Sequence, residues 1–185
     1  MKIVKSKYRQ DFEKWMIISG EGLHSGTTKF SDVANYYKNK EAAKALGETE
    51  SYSVLYSEVN SIITDMYYGT TTLKPIYVDG ECNMTKGHFH LGEEFKEYYL
   101  CTKGEGYLLK WDGEDDCYAE EMNKGSLHYI DGKYAHRIIN TGDEDLMILA
   151  VDSAKGGAKY DRIREEGFPV RCFKRNGKII WEDNK

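Results

Sequence analysis

Three histidines and one glutamate form the most chemically suggestive pattern in this 185-residue sequence. His88 and His90 are two residues apart, Glu97 follows seven residues after His90, and His136 lies further along the chain. Side chains alternate faces along a β-strand, so His88 and His90 would point the same way. The gap before Glu97 leaves room for a turn, and Tyr99 would share the face of Glu97 on the next strand. The sequence therefore predicts a divalent metal site whose ligands are His88, His90, Glu97 and His136.

This ligand set contains three nitrogens, one carboxylate oxygen and no thiolate. Such a set favours borderline to hard first-row ions, namely Fe(II), Mn, Ni or Zn. It leaves one or two coordination positions for substrate or water, as a catalytic metal requires. The histidines could instead be hydrogen bonded inside a barrel that holds no metal. His24 and His128 have no partners in the pattern and are predicted to lie outside the site.

The composition predicts a soluble globular protein of one domain. Hydrophobic residues make up 40% of the chain and the mean hydropathy is −0.67. No apolar run approaches the roughly 18–20 residues that span a bilayer, and the charged N-terminus has no signal-peptide core. The net charge of −5 argues against nucleic acid or an anionic membrane as a partner.

The cysteines form no C-x-x-C pair, which disfavours a zinc-knuckle or a redox motif. Without a secretion signal, we expect free thiols in a cytoplasmic protein. The residues concerned are Cys82, Cys101, Cys117 and Cys172.

The order of local patterns predicts an N-terminal arm over residues 1–50, a β-barrel over 51–155 and a C-terminal segment over 156–185 that packs on the barrel. Within the arm, N-capping residues and Gly47 bracket a single predicted helix over residues 33–46. The final segment predicts a short helix over residues 160–166 and a hairpin that turns at Asn176-Gly177.

The middle of the chain alternates short β-rich runs with turn residues such as Lys103-Gly104, Asp112-Gly113 and Asp131-Gly132. Turn residues at such regular intervals are typical of antiparallel strands that close into a sandwich or barrel. We therefore expect the candidate ligands to converge from different strands of one barrel.

The ligand pattern resembles the two motifs of the cupin superfamily. The first motif, G-x5-H-x-H-x(3–6)-E-x6-G, is matched from His88 to Gly104, with Cys82 in place of its leading glycine. The second motif, G-x5-P-x-G-x2-H-x3-N, keeps its first glycine, its histidine and its asparagine, but has Asp131 and Lys133 in place of the proline and inner glycine. The resemblance implies an all-β cupin (double-stranded β-helix, or jelly-roll) barrel, here with an N-terminal helical arm.

Four segments are similar to one cupin branch, the cupin-type glucose-6-phosphate isomerases. They are Lys29–Tyr37, Thr85–His90, His136–Glu144 and Gly157–Phe168. The resemblance implies a homodimer, a divalent metal such as iron or manganese on the four predicted ligands, and a sugar phosphate as the small-molecule partner. It also implies sugar and phosphate contacts at Tyr52, Thr71, Thr85, Gly87, Tyr99 and Tyr160.

Two residue pairs on the substrate side depart from that family. The chain has Asp152-Ser153 where the family usually has Tyr-Pro, and Ala158-Lys159 where it usually has His-Asp. A carboxylate at Asp152 would repel a phosphate, and Lys159 would offset this repulsion only if it points inward.

The reaction implied by the resemblance is the interconversion of glucose 6-phosphate and fructose 6-phosphate. Hydrogen would move between C1 and C2 either through a cis-enediol, with Glu97 as the base, or by a hydride shift that needs no strong base. Coordination would lower the basicity of Glu97, and Tyr99 would hydrogen bond a substrate hydroxyl. The alternatives are an Fe(II) cupin dioxygenase, and a paralogue that acts on another sugar or sugar phosphate or binds it without turnover.

Overall fold

The structure is a computed structural model that describes residues 1–6, 8–15, 17–57 and 66–184. Among these residues, no helix is long and apolar enough to cross a membrane. The helices and strands in chain order are β1 (Tyr8–Asp11), β2 (Ile17–Gly20), β3 (His24–Lys29), α1 (Phe30–Val33), a 3-10 turn (Ala34–Tyr36), α2 (Lys40–Ala45), β4 (Glu50–Tyr56), β5 (Met66–Leu73), β6 (Tyr77–Val78), β7 (Glu81–Cys82), β8 (Glu97–Lys103), β9 (Glu105–Trp111), β10 (Cys117–Asn123), β11 (Leu127–Ile130), β12 (Ala135–Asn140), β13 (Leu146–Ser153), α3 (Asp161–Glu165), β14 (Val170–Arg175) and β15 (Lys178–Asp183).

Two antiparallel sheets form the barrel. A six-stranded sheet has the order β11-β8-β13-β5-β4-β3, and a three-stranded sheet has the order β10-β9-β12. Both sheets contribute side chains to one buried apolar cluster, which includes Leu73 and Ile148 from the first sheet and Leu108 and Ile138 from the second. The all-β cupin barrel that the sequence predicts is therefore confirmed.

Strand β12 is buried along its whole length because both of its faces are covered. Ile138 packs inside the barrel. Ala135 and Ile139 pack outward in a second cluster that also contains Phe168 from the C-terminal segment. This double burial fixes the strand that carries His136 between two packed layers.

The prediction of a single helix over residues 33–46 is wrong. The structure has α1, the 3-10 turn and α2, separated at Tyr37, whose backbone is extended. Tyr37 is fully buried and its hydroxyl donates a 2.7 Å hydrogen bond to Asn83 Oδ1. Asn39 then begins α2 by accepting a 3.0 Å hydrogen bond from the backbone N–H of Ala42. A distant buried partner thus overrides the local helical pattern.

The predicted C-terminal helix and hairpin are present as α3 and the β14–β15 pair. The hairpin turns at Asn176 and Gly177, both of which have positive φ, as a two-residue turn of this kind requires. At the other end of the chain, β3 pairs with β4 and so joins the barrel sheet, although it lies within the predicted arm. The segment boundaries at residues 50 and 155 stay a prediction.

Candidate metal centre and adjoining cavity

An extended segment beside β12 positions the first two histidines. His88 and His136 exchange backbone hydrogen bonds of 3.1 and 3.2 Å, so they lie directly opposite each other. The next residue, Phe89, exchanges backbone hydrogen bonds with Lys159 and packs its ring against Trp111. The strand alternation expected of His88, Phe89 and His90 is thus what the structure shows.

The four predicted ligands converge at one point inside the barrel. Each offers one nitrogen or oxygen atom, and these atoms lie within 4.8 Å of one another. Glu97 Oε2 lies 3.1 Å from His136 Nε2 and 3.6 Å from His90 Nε2. Residues distant in sequence therefore present their polar atoms to a shared buried volume.

Several of these polar atoms lack hydrogen-bond partners among the described residues. They include Glu97 Oε2, both ring nitrogens of His90 and Nδ1 of His136. Burying such groups unpaired costs free energy, which a cation ligated by them would offset. The arrangement and its N3O chemistry fit a divalent metal.

Burial and mutual contact also set the protonation states of the cluster. Burial lowers the pKa of His88 to about 3, with a further contribution from the neighbouring His136. Burial alone would raise the pKa of Glu97, but the imidazoles of His136 and His90 outweigh it and hold that pKa at about 2. At neutral pH His88 is therefore neutral and Glu97 is ionised, the forms that bind metals.

A cavity of about 380 Å³ adjoins the cluster. Its size is at the lower end of the range for small-molecule sites, roughly 300–1,000 Å³. His88, Glu97 and His136 form part of its wall. All six residues predicted to contact a sugar phosphate also line it, namely Tyr52, Thr71, Thr85, Gly87, Tyr99 and Tyr160.

The cavity residues differ in their hydrogen bonds and in the surroundings of their hydroxyl groups. The hydroxyl of Tyr99 lies 3.2 Å from His136 Nε2, next to the cluster. Burial raises the pKa of the Tyr52 and Tyr160 hydroxyls, which stay protonated at neutral pH. Thr85 Oγ1 accepts a 3.2 Å hydrogen bond from the backbone N–H of Ile138, which ties the cavity wall to β12.

Gly87 occupies a position that no other residue fits easily. Its φ of +72° lies in the left-handed region, and a β-carbon there would stand 2.7 Å from Phe168 Cε2 and 3.0 Å from the carbonyl oxygen of His136. The absent side chain thus allows the chain to pass close to β12 just before His88.

Lys86, which was not among the predicted substrate contacts, lies between two of them in the sequence and lines the cavity. Among the described residues that line the cavity, it is the only lysine or arginine. Its backbone carbonyl accepts a 2.6 Å hydrogen bond from Arg137 Nη2, which anchors the loop. The feature of the sequence that could have indicated Lys86 was its position between Thr85 and Gly87, two predicted substrate contacts.

The two departures from the family pattern lie outside the cavity wall. Asp152 is buried, and its Oδ1 accepts a 2.6 Å hydrogen bond from the backbone N–H of Ser153. Lys159 is exposed, so it does not supply the inward charge that would offset Asp152.

His24 is exposed, and His128 is buried against Glu120 and Ser126, so neither joins the cluster.

The barrel, the three-histidine and one-carboxylate cluster and the cavity beside it together define a cupin with a candidate metal centre. The family model described as Glucose-6-phosphate isomerase (GPI) matches residues 27–185. Glucose-6-phosphate isomerases from Thermococcus litoralis and Pyrococcus horikoshii are each 34% identical to this chain over 177 residues, covering 94% of this chain and 92% of theirs. That of Sinorhizobium medicae is 29% identical over 143 residues, covering 75% of this chain and 67% of its own. The chain belongs to the glucose-6-phosphate isomerase family.

Solved structures similar to this one include a variant of the oxalate decarboxylase of Bacillus subtilis. It superposes with a TM-score of 0.48 at 18% identity. The match covers 60% of this chain but 28% of that one, so this chain spans only a part of the larger protein.

Proposed function

We propose that this protein is a metal-dependent aldose–ketose isomerase that interconverts glucose 6-phosphate and fructose 6-phosphate. The observation that carries the proposal is the cluster of four convergent ligands, with its unpartnered buried atoms, beside a cavity lined by all six predicted sugar-phosphate contacts. Membership of the glucose-6-phosphate isomerase family supports the choice of substrate.

The proposed metal ligands are His88, His90, Glu97 and His136, and the proposed ion is Fe(II) or Mn, with Ni or Zn as alternatives. When bound there, a divalent ion would polarise the oxygens on C1 and C2 of the open-chain sugar. The neutral state of His88 and the ionised state of Glu97 support this assignment, because neither group must lose a proton before binding.

The remaining cavity residues would bind and orient the substrate. The Tyr99 hydroxyl, which lies beside His136, would donate a hydrogen bond to a substrate hydroxyl at the reacting carbons. Lys86 would supply the counter-charge for the phosphate. The other proposed substrate contacts are Tyr52, Thr71, Thr85, Gly87 and Tyr160.

The low pKa of Glu97 bears on how hydrogen moves between C1 and C2. A carboxylate with a pKa of about 2 is a weak base at neutral pH, so it gives little driving force for proton abstraction. Two routes remain compatible with the proposed site, an enediol route with Glu97 as the base and direct transfer of the hydrogen with Glu97 acting only as a ligand. Turnover in D2O tests the route, because direct transfer leaves the product without solvent deuterium and an enediol route incorporates it.

Turnover assays with matched substrates separate the proposed function from its rivals. The metal-loaded protein is given fructose 6-phosphate or fructose at equal concentration, and aldose formation is followed together with oxygen consumption. We expect glucose 6-phosphate to form, far less product from fructose, and no oxygen uptake. Oxygen uptake without aldose would support an Fe(II) dioxygenase. Binding of fructose 6-phosphate without turnover would support a paralogue that only binds it, and faster turnover of another sugar would support a different substrate.

The proposed assembly is a homodimer in the cytoplasm. Tyr98, Leu127 and Tyr129 are 48%, 65% and 43% exposed on the neighbouring strands β8 and β11, and the two tyrosine rings lie 5.4 Å apart. Such a patch supports a protein–protein contact, and four free thiols support a reducing compartment. Sedimentation of the Tyr98→Glu and Leu127→Glu variants tests the dimer, since charge at this patch should yield monomers.

A further inference from the structure

The buried residue Asp152 lies on the same face of the sheet as the candidate metal centre. In the β8–β13 ladder, Asp152 is directly opposite Glu97, and Ala150 is directly opposite Tyr99. Ala150, Tyr99 and Glu97 line the cavity, so residues at even positions of β13 point inward with them. Asp152 continues this row and is only 3% exposed. Its carboxylate therefore lies inside the protein, close to the proposed ligands.

Among the described residues, the four candidate ligands do not include Asp152. Asp152 lies instead on the side of the His90 ring that faces away from the other ligands. A β-carbon added to Gly156 would stand 3.0 Å from His90 Nδ1 and 3.3 Å from Asp152 Oδ1. The two atoms thus flank the same glycine and are at most about 6 Å apart, within reach of a side-chain rotation.

The two ring nitrogens of His90 face in different directions. Nε2 faces Glu97, 3.6 Å from its Oε2, and is the atom placed to bind a metal. Nδ1 faces Gly156 and Asp152, is buried, and has no hydrogen-bond partner among the described residues. A metal-binding histidine almost always donates its second ring N–H to a carboxylate, a backbone carbonyl or a water.

We propose that Asp152 is a positioning residue that accepts a hydrogen bond from the Nδ1–H of His90. This bond holds the tautomer and ring orientation in which Nε2 is free to bind the metal, and it tightens metal binding. The inference rests on the proposed metal centre. Since the related family usually has tyrosine at this position, the effect would be particular to chains with this carboxylate.

The affinity for Mn(II) of the Asp152→Asn variant tests the proposal, measured by competition with a chelator at one pH. Asparagine keeps the size of the side chain but removes its charge. We expect the Kd for Mn(II) to rise about tenfold or more, the range for loss of such a partner. The matched control is Asp115→Asn, at an exposed carboxylate in the β9–β10 loop, whose Kd should stay within about twofold of the parent.

A spectroscopic readout separates positioning from a general loss of packing. In the Zn-loaded parent, the proton on His90 Nδ1 should give a downfield NMR signal, because it is hydrogen bonded to a carboxylate. In Asp152→Asn that signal should move upfield, while the signals of the apolar barrel interior stay in place. An unchanged His90 signal would overturn the proposal and would indicate the nearby carbonyl of Ser153 as the acceptor.

His90→Ala distinguishes failure of this inference from failure of the metal centre. If His90→Ala loses Mn(II) binding while Asp152→Asn keeps the parent affinity, Asp152 has no positioning role and the metal centre stands. If His90→Ala also keeps the parent affinity, the metal centre itself is wrong. Should Asp152→Asn not fold, Gly156→Ala is measured instead, because its methyl group would wedge between His90 and Asp152. Parent affinity in that variant would contradict the proposal.

Discussion

Replacing Gly87 by alanine should destabilise the protein for two separable reasons. The residue has a φ of +72°, where an L-residue costs roughly 1–2 kcal/mol relative to glycine. The new methyl group would also stand 2.7 Å from Phe168 Cε2 and 3.1 Å from Arg137 Cβ, and overpacking of this kind costs about 1–3 kcal/mol. We therefore expect Gly87→Ala to lose about 2–5 kcal/mol of unfolding free energy in total.

The chain offers a matched control in Gly177, which also has a φ of +72° but has no atom within 4 Å of an added β-carbon. Gly177→Ala should lose only the conformational part, about 1–2 kcal/mol. Urea unfolding of the metal-free parent and both variants measures the difference. Equal losses in the two variants would refute the claim that close packing against Phe168 and β12 demands glycine before His88.

Three further predictions concern pH, charge and the reacting hydroxyl. Burial lowers the pKa of His88 to about 3 in the folded protein, so as pH falls below about 6.5 the unfolded state takes up this proton first. The free energy of unfolding of the metal-free protein, measured by urea titration, should therefore fall by roughly 2 kcal/mol between pH 7 and pH 5. An unchanged urea midpoint would contradict the burial of a neutral His88. Lys86→Met should raise the KM for fructose 6-phosphate about tenfold, while the control Lys159→Met, at an exposed lysine, should leave that KM unchanged. Equal effects of the two substitutions would show that Lys86 does not bind the phosphate. Tyr99→Phe should lower kcat about tenfold or more with a smaller change in KM, and an unchanged kcat would show that the hydroxyl beside His136 does not act in the reaction.

The shared direction of the candidate ligands His88 and His90 could be predicted because strand alternation is a local property. His88 and His90 share one face and Phe89 takes the other, as two-residue periodicity requires. The direct pairing of His88 with His136 was beyond sequence reasoning, since it depends on the register between segments 48 residues apart. Residue types and spacing thus indicated which side chains would meet, while the tertiary register determined how they meet.

The failures have a common physical cause in long-range contacts. The predicted helix breaks at Tyr37 because its hydroxyl bonds to the buried Asn83, a partner that local propensity does not register. The proposed roles of Lys86 and Asp152 depend likewise on which atoms lie beside each side chain, the cavity in one case and His90 with Gly156 in the other.

Stepwise addition of Mn(II) or Fe(II) to chelator-stripped protein tests the central claim most directly. Each addition is followed by the rate at which fructose 6-phosphate is converted into glucose 6-phosphate. The four-ligand site predicts no activity at the start, a linear rise and a plateau at one ion per chain, with neither tight binding nor activity in His136→Ala. Full activity in the stripped protein, or in His136→Ala, would contradict the account.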